Sequence, residues 1–156
     1  MALEIERKFL VKGNFKKEAI KSSKIAQGFL STVTERTVRI RIKDDKGFIT
    51  VKGISNDSGT IRFEWEKEIS VEDAENLLKL CEPTIIEKIR HIVPVNNNLF
   101  FEVDEFLGEN KGLFIAEIEL PDENTFFERP SWLGEEVTGQ VKYYNSMLSK
   151  RPFINW

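Results

Sequence analysis

The sequence predicts a mainly β protein with some helix (α+β), in which eight antiparallel strands close into a barrel with a charged interior and helices packed outside. About eight segments alternate polar and apolar residues with the period of two that a strand requires. Most are joined by turns too short for a parallel crossover, so neighbouring strands are expected to be antiparallel. With 156 residues, 31% of them charged and 40% hydrophobic, the chain is expected to form a single globular domain spanning residues 1–156.

The predicted elements follow one another in a simple order. Strands are predicted at 3–12, 24–30, 36–43, 48–53, 61–70, 85–95, 98–107 and 112–120. Helical stretches are predicted at 15–21, 70–81, 122–128 and 138–149. Ser70, with Asp73 three residues later, is typical of a helix start, and the turn at 44–47 predicts a hairpin.

Charged side chains share one face of several predicted strands, and apolar side chains share the other. Acidic residues lie two apart at 4/6, 64/66, 102/104 and 117/119, and basic residues lie two apart at 39/41 and 88/90. A charged face that meets water would explain any one of these strands. However, like charges side by side repel each other, and amphipathic helices need an apolar sheet face to cover. Both facts favour a barrel in which the charged faces point inward.

A barrel interior of both signs suits an anionic ligand held together with a metal ion. Carboxylates from neighbouring strands can converge on a hard divalent cation, and lysine and arginine bind phosphate oxygens. The single cysteine, Cys81, and the single histidine, His91, exclude a disulfide within the chain and a Cys/His zinc site. Oxygen-ligated Mg²⁺, Mn²⁺ or Ca²⁺ remain. The net charge of −3 argues against a protein that binds nucleic acid polymers in general.

The sequence carries no pattern that predicts a membrane protein or a signal peptide. Residues 1–8 are charged from position 4 onward, which is unlike a signal peptide. No apolar run has the length of a membrane span. A reducing, cytoplasmic setting without membrane partners is therefore expected.

Glu4-Ile5-Glu6-Arg7-Lys8 resembles the E-x-E-x-K signature of the CYTH superfamily, also called triphosphate tunnel metalloenzymes. Further segments resemble the small bacterial inorganic tripolyphosphatases of that superfamily, in the same order along the chain. They are Q-G-F-L at 27–30, V-R-I-R at 38–41, T-V-K at 50–52, E-W-E at 64–66, E-K-I-R at 87–90, F-E-V-D at 101–104, A-E-I-E at 116–119, W-L-G-E-E-V-T at 132–138 and Y-Y-N at 143–145. The resemblance covers nearly the whole chain.

The resemblance implies hydrolysis of tripolyphosphate, or of a nucleoside triphosphate, with Mg²⁺ or Mn²⁺ inside the barrel. The basic residues it assigns to the substrate are Lys8, Arg39, Arg41, Lys52, Lys88 and Arg90, with Lys142 on the last helix closing one end of the tunnel. The acidic residues it assigns to one or two metal ions are Glu4, Glu6, Asp104, Glu117 and Glu119, with Glu64, Glu66 and Glu102 as further candidates. Lys8 and Glu6 are the expected catalytic residues, and a homodimer is expected by the same analogy.

Phe29 departs from the pattern, because this branch usually has a tyrosine in the Q-G-x-L segment that is thought to help the signature lysine activate water. A phenyl ring can neither take nor relay a proton. Water is then activated by the metal ion, or by Lys8 with a carboxylate, or activity is low. Two other functions stay open. One is a class IV adenylate cyclase, for which the sequence shows no clear adenine pocket, and the other is a module that binds polyphosphate or nucleotide without turnover.

The other distinctive side chains are expected to be structural. His91 shares a strand face with the apolar Ile89 and Val93, so it is expected to lie among outer, apolar residues. Tyr143 and Tyr144, on the last predicted helix, are expected to pack, although one of them is a candidate for the tunnel mouth.

Overall fold

The computed structural model describes residues 3–156 as nine strands and two short helices. The strands are β1 (Leu3–Val11), β2 (Lys21–Ser31), β3 (Arg36–Lys43), β4 (Lys46–Ser55), β5 (Ile61–Ile69), β6 (Ile86–Pro94), β7 (Phe100–Phe106), β8 (Phe114–Glu119) and β9 (Leu133–Glu136). The helices are α1 (Val71–Leu78) and α2 (Asn145–Leu148), and 3₁₀ turns lie at Lys16–Glu18, Gly108–Asn110, Val141–Tyr143 and Phe153–Asn155. Within residues 3–156, neither helix has the length and apolar character that crossing a bilayer requires.

Eight of the strands close into an antiparallel barrel, as the alternation predicts. Around the ring the order is β1-β5-β4-β3-β2-β6-β7-β8, and β8 pairs with β1 to complete it. The ladders on both sides of each strand are antiparallel. β1 and β2 are four places apart in this ring of eight, so they form opposite walls of the barrel.

One edge of β1 is shared by two strands. β5 pairs with its first three residues and β9 pairs with its last three. Between these two ladders, the amide of Glu6 donates to the carbonyl of Thr60 (3.0 Å), and the amide of Val137 donates to the carbonyl of Lys8 (2.8 Å). The backbone of residues 4–8 therefore keeps its hydrogen bonds between the end of the β5 ladder and the start of the β9 ladder.

Gly59 and Gly139 meet at this change of partner. Both have positive φ angles, +78° and +77°, in a region that costs other residues about 1–2 kcal/mol. A Cβ atom built on Gly59 would overlap the Cα of Gly139. The junction beside β1 therefore needs glycine for two reasons, backbone conformation and lack of space.

Gly59→Ala is expected to lower the free energy of unfolding by about 1–3 kcal/mol more than Gly108→Ala does. Gly108 also has a positive φ, +60°, but a Cβ there would meet nothing within 4 Å. It is therefore a matched control for the backbone penalty alone. Urea unfolding of both variants measures the difference, and equal losses would show that the junction accepts a side chain.

The larger hydrophobic core lies outside the barrel, against β1, β6, β7 and β8. Phe9, Phe101 and Ile118 are 0% exposed there, and Trp132 from the connecting segment packs on them. α1 covers β3 and β4 on another part of the outer surface. Its start agrees with the prediction, because Ser70 Oγ accepts a hydrogen bond of 3.0 Å from the amide of Asp73.

Two predicted helices are wrong at the outer surface. Residues 122–128 form a turn followed by irregular chain, because the carboxylate of Asp122 accepts a hydrogen bond from the amide of Asn124 (2.8 Å), a local bond that competes with helix. Pro130 also disfavours helical conformation in the residue before it. Residues 15–21 contain only the 3₁₀ turn Lys16–Glu18, since β2 already begins at Lys21.

The predicted helix at 138–149 is also broken. Gly139 has a positive φ, and Tyr144 is extended, with φ −69° and ψ 137°. Only Asn145–Leu148 is α-helical. β9 lies just before this segment and has four residues, including Gly134, too few for alternation to predict it.

A second apolar cluster occupies one end of the barrel interior. It joins inward-pointing strand residues to side chains of the C-terminal segment. Its members are Ile86, Phe106, Leu113, Ile115, Val137, Tyr143 and Leu148, with Leu10 and Phe153 packed against them. Because side chains two apart share a face, Leu10 follows Lys8 and Ile115 precedes Glu117 along the inner wall. The interior is thus charged over most of its length and apolar at this end.

Candidate active site

The charged part of the barrel interior contains a cavity of about 70 Å³, room for a handful of water molecules. The six bases assigned to the substrate all line it: Lys8, Arg39, Arg41, Lys52, Lys88 and Arg90. Glu6, Glu117 and Phe29 line it as well. Alternation on six strands is therefore enough to bring these distant residues together.

Asp104 binds two of these cations at the wall formed by β6 and β7. Arg90 donates two hydrogen bonds to its carboxylate, at 2.8 and 2.9 Å, and Lys88 Nζ lies 2.7 Å from Oδ2. Burial opposes ionisation of Asp104, but the charges of Arg90 and Lys88 hold its pKa well below the ordinary value. Burial lowers the pKa of Lys88 to about 7, and Asp104 offsets this only in part because Arg90 and Arg41 repel the ammonium group.

Arg41 is buried and, within residues 3–156, has no carboxylate as a hydrogen-bond partner. Its Nε donates to Gln27 Oε1 at 2.8 Å, and Gln27 Nε2 donates to Asn145 Oδ1 at 2.8 Å. The same oxygen of Asn145 accepts a hydrogen bond of 2.9 Å from Lys88 Nζ. Burial and the charges of nearby arginines hold the pKa of Arg41 well below its ordinary value. An anion at this point would relieve an incompletely neutralised charge.

Arg39 lies two residues earlier on the same strand and is also incompletely paired. Its terminal nitrogen donates to Thr50 Oγ1 (3.1 Å) and lies 3.5 Å from Glu66. Its Nε is buried and, within residues 3–156, has no hydrogen-bond partner. Burial and the charge of Arg90 lower the pKa of Arg39. Two guanidinium groups of β3 are thus available to an oxyanion.

Carboxylates crowd the opposite wall, on β1 and β8. Glu6 lies directly across from Glu119 in this ladder, and Lys8 lies across from Glu117. Burial and the charges of Glu117 and Glu4 hold the pKa of Glu6 well above its ordinary value. Burial also raises the pKa values of Glu4 and Glu119. Burial and mutual repulsion make these carboxylates hard to ionise. A cation bound among them would stabilise their negative charges.

Lysines neutralise part of this acidic wall. Lys52 Nζ lies 3.1 Å from both carboxylate oxygens of Glu4 and 3.6 Å from Glu64. Lys8 Nζ lies 3.7 Å from Glu117. Burial would raise the pKa of Glu117, but the charge of Lys8 and its neighbours lowers it to about 2. A polyanion that enters the cavity must therefore exchange these internal ion pairs for its own.

The acidic wall fits a divalent cation in the chemistry of its donors. Glu4, Glu6, Glu117 and Glu119 offer only oxygen ligands, which Mg²⁺ and Mn²⁺ accept. In the described part of the chain, residues 3–156, no three acidic, histidine or cysteine side chains already surround one point. Lys8 and Lys52 occupy that space by pairing with the same carboxylates, so the cation and the lysines compete for them.

The other predicted site residues lie in different surroundings. Glu66 and Glu102 flank the cavity bases, with Glu102 3.3 Å from Arg90. Asp104 is 1% exposed and fully engaged by two cations, unlike the carboxylates of the acidic wall. Lys142 is exposed and does not line the cavity, and its Nζ lies 4.4 Å from the ring centroid of Trp156.

Phe29 lies inside the cavity, 4% exposed. It is directly across from Arg39 in the β2–β3 ladder, so the position of the usual tyrosine faces the cavity in this chain too. Its ring has no hydroxyl to offer there.

Some cavity residues were not assigned to the site by reasoning from the sequence, although Tyr144 was one of two candidates for the tunnel mouth. Arg62 lines the cavity, and alternation with Glu64 could have identified it. Tyr144 and Asn145 line it as well, but they belong to a segment whose pattern predicts a continuous helix. His91, as expected, is outside, with Nε2 3.0 Å from Glu105 and its ring against Phe15.

Comparison with known proteins agrees with the barrel fold. A profile of the CYTH domain family matches residues 2–152. The chain belongs to the CYTH family. An inorganic triphosphatase from Acetivibrio thermocellus is 48% identical to this CYTH protein over 157 residues, covering 100% of this chain and 99% of the relative. An inorganic triphosphatase from Nitrosomonas europaea is 34% identical over 149 residues, covering 94% and 96%.

A crystal structure of an inorganic triphosphatase superimposes on this CYTH protein with a TM-score of 0.69. The two are 33% identical, and the match covers 96% of this chain and 95% of the other. Membership in the family implies dependence on a divalent metal ion, for which the acidic wall has suitable donors.

Proposed function

We propose that this CYTH protein hydrolyses inorganic triphosphate to pyrophosphate and phosphate in the charged cavity, with Mg²⁺ or Mn²⁺. One observation carries the proposal: six cationic side chains from four strands converge on one cavity across from a wall of carboxylates. A linear triphosphate concentrates several negative charges in a short chain, so several bases together with a metal ion are needed to balance them. The names of the two relatives support the same substrate.

The bases bind and orient the phosphate chain in this proposal. Arg39 and Arg41 present guanidinium groups that lack full partners, and Lys8, Lys52, Lys88 and Arg90 exchange their internal carboxylates for phosphate oxygens. Glu4, Glu6, Glu117 and Glu119 would hold a divalent cation, which would supply further positive charge to balance the phosphate chain. Phosphoryl transfer needs little covalent help from the protein, so positioning and charge stabilisation account for most of the rate.

Lys8 serves as a fixed positive charge in this proposal. Burial would lower the pKa of Lys8, but the charges of Glu117 and Glu6 raise it, so Lys8 keeps its proton near neutral pH. Phe29 cannot take one. The proton of the attacking water then passes to a carboxylate, and Glu6, two residues from Lys8 on β1 and part of the cavity lining, is placed to accept it.

Phosphate release from defined substrates tests the proposal. Purified protein is incubated with Mg²⁺ or Mn²⁺ and, separately, with tripolyphosphate, ATP, thiamine triphosphate and pyrophosphate. Preferential release of phosphate from tripolyphosphate is the expected result. Cyclic AMP from ATP would instead establish a cyclase.

A non-catalytic binding module is the second candidate, because Phe29 removes a hydroxyl from the cavity. Equilibrium binding of tripolyphosphate distinguishes it from the hydrolase. Tight binding without product, at every metal concentration, would favour the module.

Glu6→Gln is expected to raise the Mg²⁺ concentration needed for half-maximal activity by about tenfold or more. The amide keeps the size of the side chain but removes the negative charge that faces Glu4 and Glu117. Activity is measured against Mg²⁺ concentration after removal of metal with EDTA. Glu18→Gln, an exposed acid on the 3₁₀ turn outside the barrel, is the control. An unchanged metal requirement in Glu6→Gln would place the cation elsewhere.

A further inference from the structure

We propose that Tyr144 and Asn145 form a floor across the barrel that limits the length of the phosphate chain bound in the charged cavity. The inference rests on the proposed function and concerns the choice between triphosphate and longer linear polyphosphates. The two residues are consecutive in the chain, and both line the cavity.

Tyr144 and Asn145 contact opposite walls of the barrel. The ring of Tyr144 lies 5.0 Å from Lys8 Nζ on β1, a cation–π contact. Asn145 Oδ1 accepts hydrogen bonds from Gln27 on β2 (2.8 Å) and Lys88 on β6 (2.9 Å). Since β1 and β2 are four places apart in the ring of eight, these two side chains together span the interior.

The interior becomes apolar beyond this floor. Leu148 is 0% exposed there and packs with inward-pointing Ile115 and Phe106. A phosphate oxygen cannot be solvated or neutralised among these side chains. The charged cavity is therefore closed at this end. A linear polyphosphate enters from the opposite, acidic rim, where Glu119 is exposed.

The floor lies among the bases, whereas the rim is acidic. Lys8, beside Tyr144, and Lys88, beside Asn145, meet the phosphate that reaches deepest. A chain with one more phosphoryl group cannot extend past Tyr144 and Asn145, so the extra group must lie toward the open end, beyond the bases that line the cavity. The distance from floor to rim thus discriminates against longer chains.

Tyr144→Ala tests the floor because it deepens the cavity without removing a charge. The ring is half-buried and faces the cavity, and Tyr144 belongs to neither hydrophobic cluster. The ratio of kcat/KM for tetrapolyphosphate to that for tripolyphosphate is expected to rise about tenfold, the effect of roughly 1.4 kcal/mol. Tyr144→Phe keeps the ring and removes only the hydroxyl, so its ratio is expected to match the wild type.

Two further measurements make the outcome decisive. Tyr144→Val, which suits the extended backbone at this position, should show the same increase as alanine, and thermal unfolding verifies that each variant is folded. The ratio of the Kd for tetrapolyphosphate to the Kd for tripolyphosphate, measured by calorimetry, should fall, because the longer chain then binds relatively more tightly. If the wild type cleaves tripolyphosphate but the alanine, valine and phenylalanine variants have the same ratio, the floor has no such role and the proposed function is unaffected. If the wild type neither binds nor cleaves tripolyphosphate, both proposals are wrong.

Discussion

Asp104→Ala is expected to lower the free energy of unfolding by about 3–5 kcal/mol, because it leaves two buried cations without their shared partner. Lys88 and Arg90 both contact this carboxylate, and Lys88 is 1% exposed. Urea unfolding near neutral pH measures the loss. Glu102→Ala is the matched control, because within residues 3–156 its one ion pair is with Arg90 and its side chain is 27% exposed, so the loss should stay within about 1 kcal/mol.

The loss at Asp104 is also expected to depend on pH in a defined direction. The neighbouring cations hold the folded-state pKa of Asp104 below the ordinary value of 3.8, so between these two values the unfolded chain binds more protons than the folded one. The stabilisation is therefore complete well above pH 4 and is lost as the pH falls through the folded-state pKa. The stability gap between wild type and Asp104→Ala should shrink in acid. A gap that stays constant down to pH 2 would mean that alanine acts through lost packing.

Lys8→Met is expected to lower kcat/KM for tripolyphosphate by about 10²–10³-fold, the effect of losing one charge that stabilises the transition state. Methionine fills most of the same space without the charge, so the barrel should remain folded. Lys8 is the signature residue whose ammonium lies between the acidic wall and the floor, 3.7 Å from Glu117.

Lys24→Met is the control for Lys8→Met. Lys24 is exposed on the outer side of β2, so its replacement should change kcat/KM less than about twofold. Phosphate release gives the rates, and circular dichroism with thermal unfolding verifies the fold. A Lys8→Met enzyme within tenfold of wild type would remove Lys8 from the mechanism.

The strand alternation was sufficient to predict the barrel and most of its charged lining. Period-two patterns are local, and burial of one face converts them directly into an inside and an outside. For this reason Arg39, Arg41, Lys88 and Arg90 could be assigned to one cavity from sequence alone. The same pattern could have identified Arg62.

The C-terminal part of the site could not be predicted in this way. Residues 138–149 have a helical composition, but Gly139 and the extended Tyr144 interrupt the helix so that Tyr144 and Asn145 reach the cavity. Only the facing walls of the barrel make that conformation favourable. The partners of individual charges could not be predicted from the sequence either. Asp104 and Glu6 both look like metal ligands in the sequence, yet Asp104 contacts two cations and Glu6 lies among acids.

The sharing of one β1 edge by β5 and β9 has a consequence for folding. The first strand pairs with the last one, and the side chains of Arg7 and Glu136, which join them, are 129 residues apart in sequence. Such distant pairings are slow to form, because the entropy of closing a long loop is lost before any stabilising contact can offset it. The segment that carries Glu4, Glu6 and Lys8 is therefore fully paired only after the C-terminal quarter of the chain has folded against it. The cavity is expected to be among the last parts of the protein to form.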